Sequence, residues 1–494
     1  MKRIVSLILV VLMLASLLVS CQAPIDDNGD GSLPSDVVPS GDVDTTDTDA
    51  NNFQNDRLPA GTELEKLGFA GKEVKVLSWD KEEAQTFPKE DSDNDPIKSK
   101  LFYHWKGIEE RFGITFKTDY TDSEWSTSPK FLTDARADTA RYDLMQTQTL
   151  YPNTLAMEGR LVNLLPLGFP DLEMPWWPAS TSEWSQNGSL FFIASNSSVM
   201  SISNMGVLFV NTGLITAKGN ADPVQSVLRG NWTLDEVTKI SRSFAGEAAN
   251  ATPEEKIYGL VVDNESHMDF LYYSFGFSAI KNVNGVGTMG FDEESELQAI
   301  SAAIDAMAPL MSGLGNEVAI YTNDNAQPMY QGKTAMLLGY MHFIRSLEDT
   351  EAYTVVPLPM LNAEQYDTVG YRTTQREYAD VWCIPTTAQS KQLSGMILEA
   401  NASSEYRNVG PYYFEEYLKD RYANGTQGRE CFDILRNSII YDFGRTTGFF
   451  TSGWRLSFNP SYNNVFVAQV RKEATASAER WEKVLAAYEK YKNN

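Results

Sequence analysis

A chain of 494 residues with 66 Asp and Glu against 41 Lys and Arg carries a formal charge of -25 and has room for two lobes or domains. Such a surface repels nucleic acid and phosphorylated ligands at long range, which excludes nucleic-acid partners and leaves neutral or cationic ligands as the expected class. Its hydrophobic content of 42% is ordinary for a globular protein, no stretch past the N-terminus reads as a membrane span, and no period between about 20 and 50 residues marks a solenoid.

Lys2 and Arg3 precede an apolar run over residues 4–18, broken only by Ser6 and Ser16. A membrane span needs about 20 apolar residues, so the run fits a signal peptide better. Leu18-Val19-Ser20-Cys21 looks like a lipobox. Residues 1–20 are therefore expected to be a lipoprotein signal peptide, cut before Cys21, whose thiol takes palmitate-type acyl chains. Each buried methylene is worth about 0.8 kcal/mol of membrane affinity. The expected location is the outer face of the cytoplasmic membrane, at the cell surface or in the periplasm, held through the N-terminal lipid. Residues 21–70 are expected to be a disordered acidic linker, because Asp, Gly, Ser, Pro, Asn and Thr cannot bury a core. Asp26-Asp27-Asn28-Gly29-Asp30-Gly31 imitates the start of a calcium loop, but Val37 stands where the bidentate acid belongs. Asp91-Ser92-Asp93-Asn94-Asp95 fails likewise, with Pro96 in place of Gly. Both read as solvated loops, and no metal is expected.

Val74-Lys75-Val76-Leu77-Ser78-Trp79 reads as the first strand. Over residues 98–112, Leu101, Phe102, Trp105, Ile108 and Phe112 recur at helical spacing, and Gly113 is the stop. Residues 114–120 alternate as a second strand, 141–145 form a third, and a helix is expected before Leu161. This strand–helix–strand rhythm predicts an α/β lobe with a mostly parallel sheet. Residues 188–193 and 205–210 are two further strands. Thr233 and Glu236 form a capping box for a helix whose apolar face is Leu234, Val237, Ile240 and Phe244. Residues 257–261 start a second sheet, 300–311 are helical, 354–358 and 380–384 are strands, and 474–491 is a closing helix.

The order of several phrases is informative. Ser78-Trp79-Asp80 comes first, then Tyr142-Asp143-Leu144 with Glu158-Gly159-Arg160-Leu161-Val162-Asn163-Leu164. Pro175-Trp176-Trp177, Asn187-Gly188-Ser189-Leu190-Phe191 and Leu208-Phe209-Val210-Asn211 follow. Gly230-Asn231-Trp232-Thr233-Leu234-Asp235-Glu236 and Tyr330-Gln331-Gly332-Lys333-Thr334-Ala335-Met336 come later, with Ile384-Pro385 and Asn408-Val409-Gly410-Pro411-Tyr412-Tyr413 last. This series resembles the extracellular solute-binding proteins of carbohydrate ABC importers, the broad maltose-binding-protein-like group, in its lipoprotein form. The resemblance runs from about residue 71 to 441. Asn211 is followed by Thr212-Gly213 where the family has Lys-Asp, and the tail past Asp442 matches no family phrase.

The resemblance implies an α/β fold of the two-lobed periplasmic-binding-protein-like kind, class II type, with a ligand cleft between the lobes. The N-lobe would be residues 71–206 plus 366–405 and the C-lobe 207–365 plus 406–494. It also implies that the chain captures a sugar or oligosaccharide and delivers it to the permease subunits of an ABC transporter by hinge closure, without a cofactor and without catalysis.

A sugar offers hydroxyls on its rim and apolar faces above and below, so its site needs aromatic plates and short amides or carboxylates. In open α/β lobes ligands sit beyond the carboxyl ends of the strands. The candidate ligand contacts are therefore Trp79 and Asp80 after the first strand; Gln146, Gln148 and Tyr151 after the third; Asn204 at the resembled crossing; Tyr340 beyond Gly332-Lys333-Thr334-Ala335-Met336; and Trp382 in a late strand. Trp176 and Trp177 are expected near a rim. Each of these aromatics has packing as its alternative role.

The enzyme motifs are missing: the sequence has three His, and no Gly-x-Ser-x-Gly elbow, His-Glu-x-x-His helix or phosphate loop. His104, beside Trp105, reads as a surface or packing residue. The alternatives are a secreted carbohydrate-active enzyme, since two carboxylates suffice for glycoside hydrolysis, and a binding protein for a non-sugar solute such as a peptide. Cys383 and Cys431 either pair or remain as two buried thiols.

Overall fold

The structure is a computed structural model that describes residues 56–59, 61–78, 86–120, 128–137, 142–149, 151–248, 256–262, 269–291, 293–320, 333–347, 352–375, 381–423, 425–446 and 465–494. Cys21, Trp79 and Asp80 lie outside these residues, as do the signal peptide and the first calcium-like run.

The N-terminal part builds α1 (Thr62–Lys66), β1 (Glu73–Ser78), α2 (Pro96–Phe112), β2 (Thr115–Tyr120), α3 (Ser128–Arg136), β3 (Leu144–Thr147) and α4 (Pro152–Met157). α2 is started by Asp95, whose carboxylate accepts from the backbone N–H of Ile97 at 3.0 Å and Lys98 at 3.1 Å. Gly113 ends it at φ 63, a left-handed conformation that a side chain would disfavour. The helix carries the chain from β1 to β2 so that the two can pair in parallel, which a tight turn cannot do. Leu101, Trp105, Ile108 and Phe112 form its buried face.

The chain continues through α5 (Val199–Ser203), β4 (Gly206–Val210), α6 (Leu234–Arg242), β5 (Tyr258–Val262), α7 (Asp269–Ser274), the hairpin of β6 (Ile280–Val283) and β7 (Val286–Met289), α8 (Glu294–Met311), β8 (Val318–Ile320), β9 (Thr334–Tyr340), β10 (Thr354–Val356), β11 (Val381–Cys383), α9 (Lys391–Ser404), α10 (Gly425–Asn437) and α11 (Val465–Lys490). Two π-helical stretches, Glu405–Val409 and Tyr412–Lys419, extend α9.

Two sheets divide these strands. The first runs β11-β3-β1-β2, with β11 antiparallel to β3, so a late strand closes a sheet begun near residue 73. The second runs β10-β4-β9-β5-β8 and mixes parallel β5–β8 and β5–β9 pairs with antiparallel β4–β9 and β4–β10 pairs. β4 and β9 are buried along their whole lengths, which is why they read as continuous apolar runs.

Several expectations need correcting. The linker was expected to reach residue 70, but Leu58, Leu64 and Phe69 are buried in the core, and Asp56 pairs with Arg111 of α2. Apolar residues at these three places outweigh the polar average of the stretch. Residues 188–193 make isolated bridges, such as Ile193 with Trp382, instead of a strand. Thr233 occupies the N-cap position of α6 without a side-chain cap bond. The closing helix begins at Val465, and the tail meets Asn153 and Asn163. Tyr488 donates from its hydroxyl to Asn153 at 3.2 Å, the Lys492 carbonyl accepts from Asn163 at 2.8 Å, and Trp481 donates to the Gly287 carbonyl at 2.7 Å. Tyr491 fills the space a side chain at Gly159 would need. Cys383 and Cys431 are buried free thiols. Burial pushes the Cys431 thiol up to about 12, so it is inert near neutral pH.

Candidate ligand-binding site

The first group of candidates stands at the carboxyl end of β3. Gln146 lies opposite Trp382 of β11 in the strand register. Gln146 is fully buried; its carbonyl accepts from the Ser78 hydroxyl at 2.6 Å. Trp382 is 3% exposed and packs against Trp105 at 5.6 Å and Phe87 at 6.4 Å. The structure thus brings Gln146 and Trp382 together, but inside the lobe. Gln148 and Tyr151 lie just past the strand and are half-buried. Tyr151 stacks on Phe131 with ring centres 5.9 Å apart and 27° between planes.

The second group stands where the chain enters the second sheet. Asn204 closes α5, and its amide donates to the Met200 carbonyl at 2.9 Å. Tyr340 pairs in register with Gly206, two residues beyond Asn204, so these two candidates are also neighbours. Tyr340 is 1% exposed. Its ring lies parallel to His342 at 5.5 Å and 6°, and edge-on to Phe270 at 5.6 Å and Phe343 at 5.4 Å. Nδ1 of His342 lies 3.0 Å from the Ser203 carbonyl, which can only accept, so Nδ1 carries the proton.

Beside this group lies a charged junction that the sequence did not announce. Arg445 pairs with fully buried Asp269, donates from Nε to the Gln375 carbonyl at 3.0 Å, and lies over Phe270 at 4.7 Å. Asp442 accepts from the backbone N–H of Ala279 at 2.8 Å and Arg445 at 2.9 Å; burial nevertheless pushes its carboxyl up. Burial and then the Asp442 charge raise Glu183 to about 7, against the opposing pull of Arg372. Arg445 lies just beyond the last phrase with a family counterpart, so resemblance had no signal for it. Asp269 follows a strand end by a few residues, and strand-end logic alone could have drawn attention to it.

A third feature follows from the turn after β9. The 3-10 helix Met341–Ser346 leads from Tyr340 through His342 to Arg345. Arg345 is exposed; its guanidinium lies over Tyr413 at 5.7 Å and Tyr417 at 5.2 Å and donates to the Tyr413 hydroxyl at 3.3 Å.

Trp176 and Trp177 do not stand free at a rim. Their indole N–H groups donate to the two oxygens of Glu399 at 2.9 and 3.1 Å, and the backbone N–H of Asp171 adds a third bond at 2.9 Å. Both rings are buried anchors of a loop. His104 is buried too, with Asn401 at 2.8 Å and Ser404 at 3.0 Å on its two nitrogens. Desolvation holds it down at about 4, so it is neutral and structural. A cavity of about 310 Å³ lies between α2 and the edge strand β2, lined by Phe87, Phe102, Trp105, Phe116 and Tyr120. Among the described residues no cluster of His, Cys, Asp and Glu is placed to hold a metal ion, and no helix is long and apolar enough to cross a membrane.

Solved structures share this architecture. The galacto-N-biose-/lacto-N-biose I-binding protein of an ABC transporter from Bifidobacterium longum matches with a TM-score of 0.56 and 10% identity, over 84% of this chain and 98% of that one. The ABC transporter associated binding protein from B. animalis subsp. lactis Bl-04, solved with beta-1,6-galactobiose, matches with a TM-score of 0.50 and 13% identity, over 85% of this chain and 96% of that one. The sequence matches no protein-family model and no curated protein. The fold is therefore the two-lobed α/β fold of these binding proteins, as the order of sequence phrases implied.

Proposed function

We propose that the chain is a lipid-anchored extracellular solute-binding protein that captures a sugar or oligosaccharide and hands it to an ABC importer. The observation that carries this reading is the fold it shares with two transporter-associated binding proteins whose ligands are sugars. The late return of β11 into the first sheet agrees with lobes assembled from discontinuous segments. Hinge closure then requires that the closed form touch the ligand from both sides and the open form from one, since only differential affinity shifts the balance.

Within that scheme Gln148 and Tyr151, with Trp79 and Asp80, contact the ligand from the first lobe. Gln146, Trp382, Asn204 and Tyr340 are each under a tenth exposed and hold the walls in shape. The chain acts by binding, with no catalytic step.

A thermal-shift screen over neutral and acidic mono- and oligosaccharides tests the reading, because a ligand at one hundred times its Kd adds about 2.7 kcal/mol to stability. A melting temperature that answers to peptides and to no sugar would replace sugar capture with peptide capture. Anchoring is tested separately: Cys21→Ser should leave the protein unprocessed or release it from membranes, and normal maturation and fractionation of that variant would sink the lipid anchor.

A further inference from the structure

The π-helical stretch Tyr412–Lys419 presents a run of tyrosines with an unusual charge environment. Tyr413 and Tyr417 stack with ring centres 5.7 Å apart and 19° between planes. Arg345 lies over both, Arg421 lies over Tyr417 at 4.6 Å, and Lys100 of α2 lies over Tyr412 at 5.4 Å. Among the described residues, none of these three cations has a carboxylate within ion-pairing distance. Arg111, Arg136, Lys419, Arg429, Arg445 and Arg471 are ion-paired, whereas Arg407 and Arg436 also lie over rings without such a pair among the described residues; Arg345 differs from these two in being exposed. Asp95 acts on Arg345 electrostatically, from beyond pairing distance, and is engaged as the cap of α2.

Two features give this cluster the form of a site. Arg345 is exposed although its guanidinium lies over the two tyrosine rings, and a guanidinium fork matches a carboxylate in two parallel bonds. The backbone beneath it is π-helical, a conformation found mostly as short insertions at functional sites. Arg345 is also five residues past Tyr340, at the end of the 3-10 turn that starts at the second-lobe wall.

We propose that Arg345, set on the Tyr413 and Tyr417 rings, is a subsite for the carboxylate of an acidic sugar, so that the ligand class is a uronate-bearing carbohydrate. This rests on the sugar-capture reading above and narrows it. The overall charge of -25 does not oppose it at contact, because exposed charges are screened beyond about 8 Å at physiological salt.

The experiment is calorimetry on the mature-length protein with α-1,4-linked trigalacturonate and with the neutral galactose trimer, for the native chain, Arg345→Gln and Arg345→Lys. Trigalacturonate should bind native protein about tenfold tighter than the neutral trimer, as for one charge-assisted pair. Arg345→Gln should abolish that preference while leaving the neutral trimer and the melting temperature unchanged. Arg345→Lys should keep part of it. A neutral trimer that binds as well as the acidic one, a preference that survives Arg345→Gln, or binding of neither trimer overturns the inference. The wider sugar screen decides independently whether the chain captures sugars at all.

Discussion

Two aromatic–charge clusters in this molecule invite comparison. Around Glu399, two tryptophans and a backbone amide donate to a buried carboxylate, and Arg407 covers the Trp176 face at 5.1 Å. Around Arg345, tyrosines hold an exposed cation that has no carboxylate within ion-pairing distance among the described residues. Both are charged groups set among large rings. The first has its charge answered from within and closed to water, which makes it structural. In the second the charge faces outward, so it can answer something that is not part of the chain. Aromatic content alone does not separate the two; accessibility of the charge does.

The closed class should be the costly one to disturb. The strongest case is Asp269→Ala, which removes the buried acid paired with Arg445. Removing one partner of a buried ion pair typically costs about 3–5 kcal/mol, and Asp269 is 0% exposed. Urea unfolding should show that loss as a lower midpoint at unchanged slope. A loss under about 1 kcal/mol would place the Asp269–Arg445 pair in water instead of in the core.

Glu399→Leu comes next. It strips the acceptor from three N–H donors, at about 1–3 kcal/mol for each left unmade and with less than full additivity. A net loss of about 3 kcal/mol is expected by the same measurement. Trp176 and Trp177 fluorescence should change with it, since both indoles lose their partner. An unperturbed spectrum would mean that the loop is held by other contacts.

A subtler effect concerns pH. Burial raises the Glu399 carboxyl to about 7 from an ordinary 4.5. A raised acid contributes stability that is complete below pH 4.5 and is lost as pH rises through about 7. Gln at this position cannot ionise. The stability advantage of the native chain over Glu399→Gln should therefore shrink between pH 5 and pH 8, by on the order of 2 kcal/mol. His104, held down at about 4 from an ordinary 6.5, works in the other sense: its contribution is complete above pH 6.5 and is lost as pH falls through about 4. An advantage that stays flat between pH 5 and pH 8 would show that the three N–H donors outweigh burial and keep Glu399 charged.

The contrast also explains how much could be read in the sequence. Period-2 and period-3.6 patterns placed β1, α2, β2 and the second-sheet strands β4, β5 and β10 within a few residues, whereas β8 and β9 were not read as strands. The order of phrases implied the fold that the solved structures share. The candidate site was legible mainly as neighbourhoods: Gln146 with Trp382, and Asn204 with Tyr340, meet because strand register sets them opposite or adjacent. Which of them faces solvent was not legible. Trp382 and Trp177 differ from a sugar platform only in what covers them, and covering is a tertiary property. The partners of Arg445 and Glu399 lie more than a hundred residues away in sequence, at Asp269, Trp176 and Trp177, where no local spacing rule reaches them.

The smallest expected effect is the most telling for the comparison. Among the described residues Arg345 donates one hydrogen bond, to an uncharged hydroxyl at 3.3 Å, and makes two ring contacts, and it is exposed. Cation–π contacts at exposed sites are worth about 0.5–1 kcal/mol, and a side chain held in place by them surrenders rotamer freedom that its removal returns. Arg345→Gln should then change stability by no more than about 0.5 kcal/mol, against several for Asp269→Ala or Glu399→Leu. Matched urea titrations of the three variants make the test. A loss of 2 kcal/mol or more, roughly what a buried satisfied group shows, would move Arg345 into the closed class. Its tyrosine bed would then be core packing that happens to reach the surface. A negligible loss leaves an exposed guanidinium held in one orientation that folding does not require.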